Sequence, residues 1–307
     1  GMHGTYAANM AVNYSDLLIA VGVRFDDRVT GKLETFAPEA KIIHIDIDPT
    51  SIRKNVSVDV PIVSDCKQAL EALNAEFEQV EDDLPKRFSS WRDKLQAWEE
   101  AHPLSYDTTG DAIKPQMVIE KLYELTKGEA IICTEVGQNQ MWAAQHFKYH
   151  KPRTWLTSGG LGTMGYGFPA ALGAQVAFPD SLVIDIAGDG SIQMNIQELT
   201  TAVCHELPVK IIILNNCCLG MVRQWQELFY EKNYSCTCLE RIPDFVKLAE
   251  AFGAEGFRIS ERQEIEPVLR QALASKKTVV VEVLVDPGEN VYPMVPSGAG
   301  LNEMLLV

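Results

Sequence analysis

The run Val183-Ile184-Asp185-Ile186-Ala187-Gly188-Asp189-Gly190-Ser191 concentrates most of the chemistry that the chain advertises. An apolar stretch ends, Gly-Asp-Gly makes a tight turn, and Ser191 is expected to open a helix. Ligands of open α/β sheets bind at such carboxyl ends of strands. Glycines there let backbone approach a phosphate, and a helix start offers free N–H groups and positive potential. Asp189 has the wrong sign for a bare phosphate, so its carboxylate makes sense with a divalent cation between them. Lys210–Leu214 ends in Asn215-Asn216 and supplies an amide oxygen at the same sheet edge. Mg²⁺ takes hard oxygen ligands and is usually held by one or two protein groups plus substrate phosphates. Either motif alone is most often a plain turn; the two together, on successive apolar strands, point to a diphosphate–metal site.

Those strands need a sheet, and the pattern supplies one. From Pro115 onward, helices at 115–127, 138–147, 165–177, 195–204, 219–231, 243–252 and 263–275 alternate with strands at 130–134, 181–187, 209–215 and 278–285. Such alternation predicts right-handed crossovers and a doubly wound parallel sheet. Earlier, Leu17–Val23 and Lys41–Ile47 read as buried parallel strands. Two strands are few for an independent α/β domain, so residues 1–80 are expected to be the second, C-terminal part of a Rossmann-like α/β domain, which the resemblance described below makes the middle domain. Residues 81–112, with Trp91 and Trp98, read as a helix and linker. Residues 113–287 read as the diphosphate-binding domain, and 288–307 as a Pro- and Gly-rich tail lying over a surface.

The whole composition fits this picture. The 307 residues, 46% apolar and 22% charged, suffice for about two domains and exclude disorder. A net charge of −15 disfavours nucleic acid and anionic membranes as partners. No run approaches the length of a membrane span, and no secretory signal is visible. Cys66, Cys133, Cys204, Cys217, Cys218, Cys236 and Cys238 lack paired spacing and fit reduced thiols of a cytoplasmic protein.

The chain resembles the acetolactate synthase (acetohydroxyacid synthase) catalytic subunits, a family of thiamine diphosphate enzymes. The segments GDGS and ILNN carry the resemblance, with GMHGTYAAN, VGVRFDDRVTG, EVGQNQMWAAQ, SGGLGTMGYGFPAALGA, LGMVRQWQELFY and PMVPSGAGLNEM. It extends over nearly the whole chain. It implies that Asp189, the Asn216 side chain and the Cys218 main-chain carbonyl bind Mg²⁺. Val136, Gly137, Gln138, Gln140, Gly188, Gly190, Ser191 and Met221 would contact thiamine diphosphate, and Met164 would be the apolar wedge that bends it. Met221 and Trp225, four apart on a helix, would line the substrate channel; without the resemblance they read as core. His3, Gly22, Arg24, Asp26, Arg28, Val29, Asp46 and Asp65 match FAD contacts, although the glycines expected earlier in a flavin domain are absent.

The implied reaction decarboxylates pyruvate and joins the hydroxyethyl unit to a second 2-ketoacid, pyruvate or 2-oxobutyrate, in branched-chain amino acid (isoleucine and valine) biosynthesis. The implied assembly is a homodimer or tetramer, with or without a small regulatory subunit. In the family a glutamate of an N-terminal domain activates the cofactor. No matching segment occurs here, so no catalytic residue is assigned and the chain is expected to be the C-terminal half, inactive alone. Two departures stand out: Asn139 replaces a common histidine, and Cys217-Cys218 is an unusual pair after LNN. Three alternatives remain open: a pyruvate oxidase or glyoxylate carboligase type of enzyme, a non-catalytic cofactor-binding module, and a metal cluster of Cys217, Cys218, Cys236 and Cys238. The last has spacing that suits no common zinc site. A nicotinamide dehydrogenase is disfavoured because no GxGxxG follows a strand.

Overall fold

The computed structural model describes residues 1–79, 84–239 and 241–307. The chain forms two compact units, Gly1–Ser105 with Tyr292–Val307, and Tyr106–Val291.

In the first unit the elements run α1 (Tyr6–Asn13), β1 (Leu17–Val21), α2 (Asp27–Thr30), β2 (Lys41–Asp46), β3 (Val60–Val63), α3 (Cys66–Phe77), α4 (Leu84–Arg87) and α5 (Ser89–Ala101). β1, β2 and β3 pair in that order, all parallel, with Leu17 opposite Lys41 and Ile43 opposite Val60. Ala20, Phe25, Phe36 and Ile42 form its core. The tail does more than cover a surface, because Val295 and Leu301 are buried in that same core. An apolar residue in a Pro/Gly-rich stretch still gains by leaving water, and turn composition does not prevent that.

The second unit contains α6 (Pro115–Thr126), β4 (Ile131–Thr134), α7 (Gln138–His146), β5 (Trp155–Thr157), α8 (Gly167–Ala177), β6 (Val183–Gly188), α9 (Leu199–Cys204) and β7 (Lys210–Asn215), followed by α10 (Gly220–Phe229), α11 (Phe245–Phe252), β8 (Glu255–Ile259), α12 (Ile265–Ala274) and β9 (Val279–Leu284). Its six strands lie in the order β5-β4-β6-β7-β9-β8 and every pairing is parallel. Helices cover both faces. Ile132, Ile184, Ile186, Ile212 and Leu214 point into one core. The alternate residues Ile131, Cys133, Val183, Ala187, Ile211 and Ile213 point into the other. That period of two on a doubly buried sheet is why the strands read as continuous apolar runs.

Buried polar side chains interrupt those runs or stand at their ends. Lys210 is buried at the start of β7, where its ammonium donates to the Ser275 and Lys277 carbonyls at 2.9 and 2.7 Å. Burial pulls its pKa down to about 8. Asp185 in β6 is completely buried beside Glu135, which follows β4. Glu135 accepts hydrogen bonds from the Gly165 and Phe168 N–H groups at 2.6 and 3.0 Å. Burial, then the neighbouring Glu135 charge, holds Asp185 well above the ordinary carboxylate range. Burial also raises Glu135. α8 can cross this pair closely because it starts at Gly167, where a Cβ would meet backbone of Thr134 and Glu135 at 2.4 Å.

Candidate functional site

The sheet order reverses between β4 and β6, since β5 lies on one side of β4 and β6, β7 and β9 on the other. The loops after two such strands diverge and leave a crevice at their carboxyl ends. A cavity of about 230 Å³ occupies this crevice. β4 delivers Val136 and Gly137, α7 delivers Gln138 to it, and β6 delivers Gly188, Asp189, Gly190 and Ser191. The loop after β7 adds Asn216 and Cys218, α10 adds Met221, and Met164 comes from the segment before α8.

Asp189 is 1% exposed. One carboxylate oxygen, Oδ2, has no hydrogen-bond partner. Burial pushes its pKa up to about 7, while the N–H groups of Gly190, Cys217 and Cys218 pull the other way. The turn that carries it is closed by Ser191, whose hydroxyl oxygen accepts from the Gly188 N–H at 3.0 Å. The expected helix does not begin there. Short 3-10 turns span Ile192–Met194 and Ile196–Glu198, and the α-helix starts only at Leu199. Beside Ser191 a ligand is therefore met by turn N–H groups, while the first residues of α7 and α10, Gln138 and Gly220, line the cavity from other sides.

The orientation of Asn216 is dictated by a chain of buried amides. Its Nδ2 donates to Gln138 Oε1 at 3.1 Å. Gln138 Nε2 donates to Gln224 Oε1 at 3.0 Å, and Gln224 is pinned to both backbone groups of Val291. With the nitrogen committed, Oδ1 is the atom left to serve as a ligand; it accepts one bond, from the Cys218 N–H at 3.1 Å, and keeps acceptor capacity. Gly220 is needed for the approach, because a Cβ would lie 2.0 Å from Gln138 Oε1. A buried carboxylate oxygen without a donor and an amide oxygen fixed by its neighbours suit a hard divalent cation. The glycine-lined turn beside them suits a diphosphate.

Met164 faces this turn, with its methyl 4.0 Å from where a Gly190 Cβ would be. Two expected residues are elsewhere. Gln140 turns away from the cavity and donates to Thr157 Oγ1 at 2.7 Å. Trp225 does not line the cavity; its ring packs edge-on against Phe229 at 5.4 Å, while Met221 and Val222 face inward. Among the described residues, no group of three or more His, Cys, Asp or Glu side chains is placed to hold a metal ion, so the four-cysteine cluster does not form.

Met141, Trp142, Leu214 and Leu219 also line the cavity wall, which their apolar surroundings in the sequence do not announce. Asn139 has a structural task that its sequence neighbours do not reveal. That side chain donates to the Glu135 and Ile186 carbonyls at 3.1 and 2.8 Å and ties the ends of β4 and β6 together. No short-range pattern announces such a tie.

In the first unit, Gly22, Arg24, Asp26, Arg28 and Val29 follow β1, Asp46 ends β2, and Asp65 follows β3, so all lie beyond or at the carboxyl edge of that sheet. Gly22 has open space around it, and Asp26 Oδ1 is buried without a partner while Oδ2 accepts from Arg24 at 2.6 Å. Asp65 caps α3 by accepting from the Lys67 and Gln68 N–H groups. His3 Nδ1 lies 3.1 Å from the Pro293 carbonyl, and burial lowers its pKa to about 4.

Two domain models and several known proteins match the chain. The thiamine pyrophosphate enzyme C-terminal TPP-binding domain matches residues 135–283, and the central domain of the same enzymes matches residues 1–73. The chain belongs to the thiamine pyrophosphate enzymes. Within that class it is similar to acetolactate synthase chains. It is 50% identical over 311 residues to the acetolactate synthase large subunit of Haemophilus influenzae. It is 49% identical over 310 residues to the acetolactate synthase isozyme 3 large subunit of Escherichia coli. Both alignments cover 100% of this chain and 54% of the relative. Against the chloroplastic acetolactate synthase 1 of Nicotiana tabacum it is 51% identical, covering 99% of this chain and 47% of that protein. The chain spans about half the length of the relatives it matches. No helix among the described residues is long and apolar enough to cross a membrane.

Proposed function

We propose that this chain is the cofactor-binding half of an acetolactate synthase catalytic subunit, acting on pyruvate and a second 2-ketoacid in branched-chain amino acid biosynthesis. The observation that carries the reading is Asp189. Its buried, unpartnered oxygen stands beside the Asn216–Cys218 loop in a glycine-lined crevice at the switch point of the sheet. Asp189, Asn216 Oδ1 and the Cys218 carbonyl would hold Mg²⁺, and Gly188, Gly190 and Ser191 would receive the diphosphate. Val136, Gly137 and Gln138 would border the rest of the cofactor, with Met164 as an apolar support that offers no competing hydrogen bond. Met221 would face the substrate. Thiamine diphosphate supplies the carbon nucleophile and electron sink for decarboxylation and carbon–carbon bond formation.

FAD would rest at the carboxyl edge of β1–β3, where the unpartnered Asp26 oxygen and the open Gly22 fit a polar ligand. A homodimer or tetramer in the cytoplasm is the assembly we favour. Asp189 is the one acidic residue lining the cavity among those described, and metal binding would occupy it. The carboxyl group that activates the cofactor is therefore assigned to an N-terminal domain outside these residues.

The test is a thermal-shift titration. Thiamine diphosphate with Mg²⁺ should raise the unfolding midpoint, by about 2.7 kcal/mol of stabilisation at a hundredfold excess over Kd. Asp189→Ala should abolish the shift, and the 307-residue chain alone should form no acetolactate. A shift that survives in Asp189→Ala would remove the site assignment, and robust synthesis by the purified chain would remove the missing-carboxyl reading.

A further inference from the structure

Two free thiols meet at the margin of the cavity. Cys218, buried and part of the lining, forms an isolated antiparallel bridge with the exposed Cys238. The framing hydrogen bonds run from the Leu219 N–H to the Thr237 carbonyl and from the Leu239 N–H to the Cys217 carbonyl, both at 2.8 Å. Each flanks the bridged pair and neither belongs to it. Cys218 and Cys238 therefore occupy a non-hydrogen-bonded position, the kind in which opposed Cα atoms approach to about 4.5 Å and side chains lie closest. That separation falls within the roughly 4.4–6.8 Å that a disulfide spans. Cys217 and Cys236 are close in sequence but stand outside the bridge, both with φ at 55°. Cys66, Cys133 and Cys204 belong to α3, β4 and α9.

We propose that Cys218 and Cys238 are a dithiol–disulfide pair, a modification site oxidised reversibly by small organic disulfides. The exposed Cys238 thiolate attacks one sulfur of the small disulfide, whose S–S bond breaks, and one small thiolate leaves. The Cys218 thiolate then attacks the Cys238 sulfur, the mixed S–S bond breaks, and the second small thiolate leaves. Two electrons pass from the protein thiols to the small disulfide, and the two thiol protons end on the two small thiols released. Excess dithiol reverses both steps. The bond closes a loop that contains the whole of α10, and with it Met221 and Val222 on the cavity wall. It also anchors Cys218, whose N–H orients Asn216 Oδ1, to an exposed segment. None of this depends on which ligand the cavity takes.

The experiment incubates the folded chain with oxidised glutathione, alkylates remaining thiols and maps peptides without reduction. The free-thiol count should fall by two from seven, with the peptide bearing Cys218 joined to the peptide bearing Cys238, and dithiothreitol should restore all seven. Because Cys217 and Cys236 share those peptides, Cys217→Ser and Cys236→Ser are assayed in parallel and should each retain the cross-link, whereas Cys238→Ser should lose it. Three outcomes would overturn the pairing: a cross-link lost in Cys217→Ser or Cys236→Ser, a mixed disulfide that stays on Cys238 without closing, or seven alkylated cysteines after oxidation.

Discussion

Asp185 shows how much a single side chain can cost inside a parallel sheet. Both of its oxygens are buried without a partner, and Glu135 is beside it. The native chain therefore keeps a proton on Asp185, whereas the unfolded chain releases it near the ordinary carboxylate pKa of ~3.9. The native state binds more protons across that interval, so native stability falls as pH rises, by about 1.4 kcal/mol per pH unit per retained proton. Asp185→Asn carries no such proton. Its stability relative to the wild type should improve from about pH 5 to about pH 8, measured by urea denaturation at each pH. An equal difference at both pH values would show that Asp185 ionises freely in the folded chain. At this scale Asp189 and Asn216 were legible in the sequence, because Gly-Asp-Gly and Asn-Asn mark strand ends by their turn chemistry. Asp185 and Lys210 were not, because a polar residue inside an apolar run gives no clue to the partner that makes it tolerable.

Between elements, the tie made by Asn139 sets the width of the crevice. Its amide serves one carbonyl near the end of each strand, that of Glu135 just beyond β4 and that of Ile186 in β6. Asn139→Ala should remove one donor from each carbonyl, leaving Ile186 only the Glu135 N–H at 3.1 Å, and cost about 1–3 kcal/mol. It should also weaken the thermal shift by thiamine diphosphate, since the cavity floor opens between those strands. A variant with wild-type urea midpoint and wild-type ligand response would assign no role to the tie. The long strands and helices of the second unit could be read from periodicity, and most ends fell within a residue or two. β3, β5 and β8 could not. β5 has three residues, and β8, EGFRI, carries charge because an edge strand is solvated on one side. The bridge between Cys218 and Cys238 was equally hidden, since its partners are separated by α10 and by a turn whose path no local signal records.

For the molecule as a whole, the division into units is not a division of the sequence at one point. Val295 and Leu301, from the C-terminal end, belong to the core built around β1 and β2. Leu301 is fully buried, so Leu301→Ala should cost about 2–5 kcal/mol. The loss should appear as faster hydrogen exchange of the β1 and β2 amides, and unchanged protection there would separate the tail from that core. Turn-rich composition concealed this, since Pro and Gly report the local path of a chain and not its destination.

The ligand cavity obeys a different rule. Every wall residue falls between Val136 and Val222, one uninterrupted stretch drawn from β4, β6, β7 and their loops. Loss of a single codon inside β6 would slip its register by one and exchange the residues facing the two cores. Deletions elsewhere in the reading frame leave that alternation untouched. The walls are in this sense the inheritance of one passage of the gene, vulnerable within it, while Gln224 and Val291 beyond it hold the Asn216 amide in place.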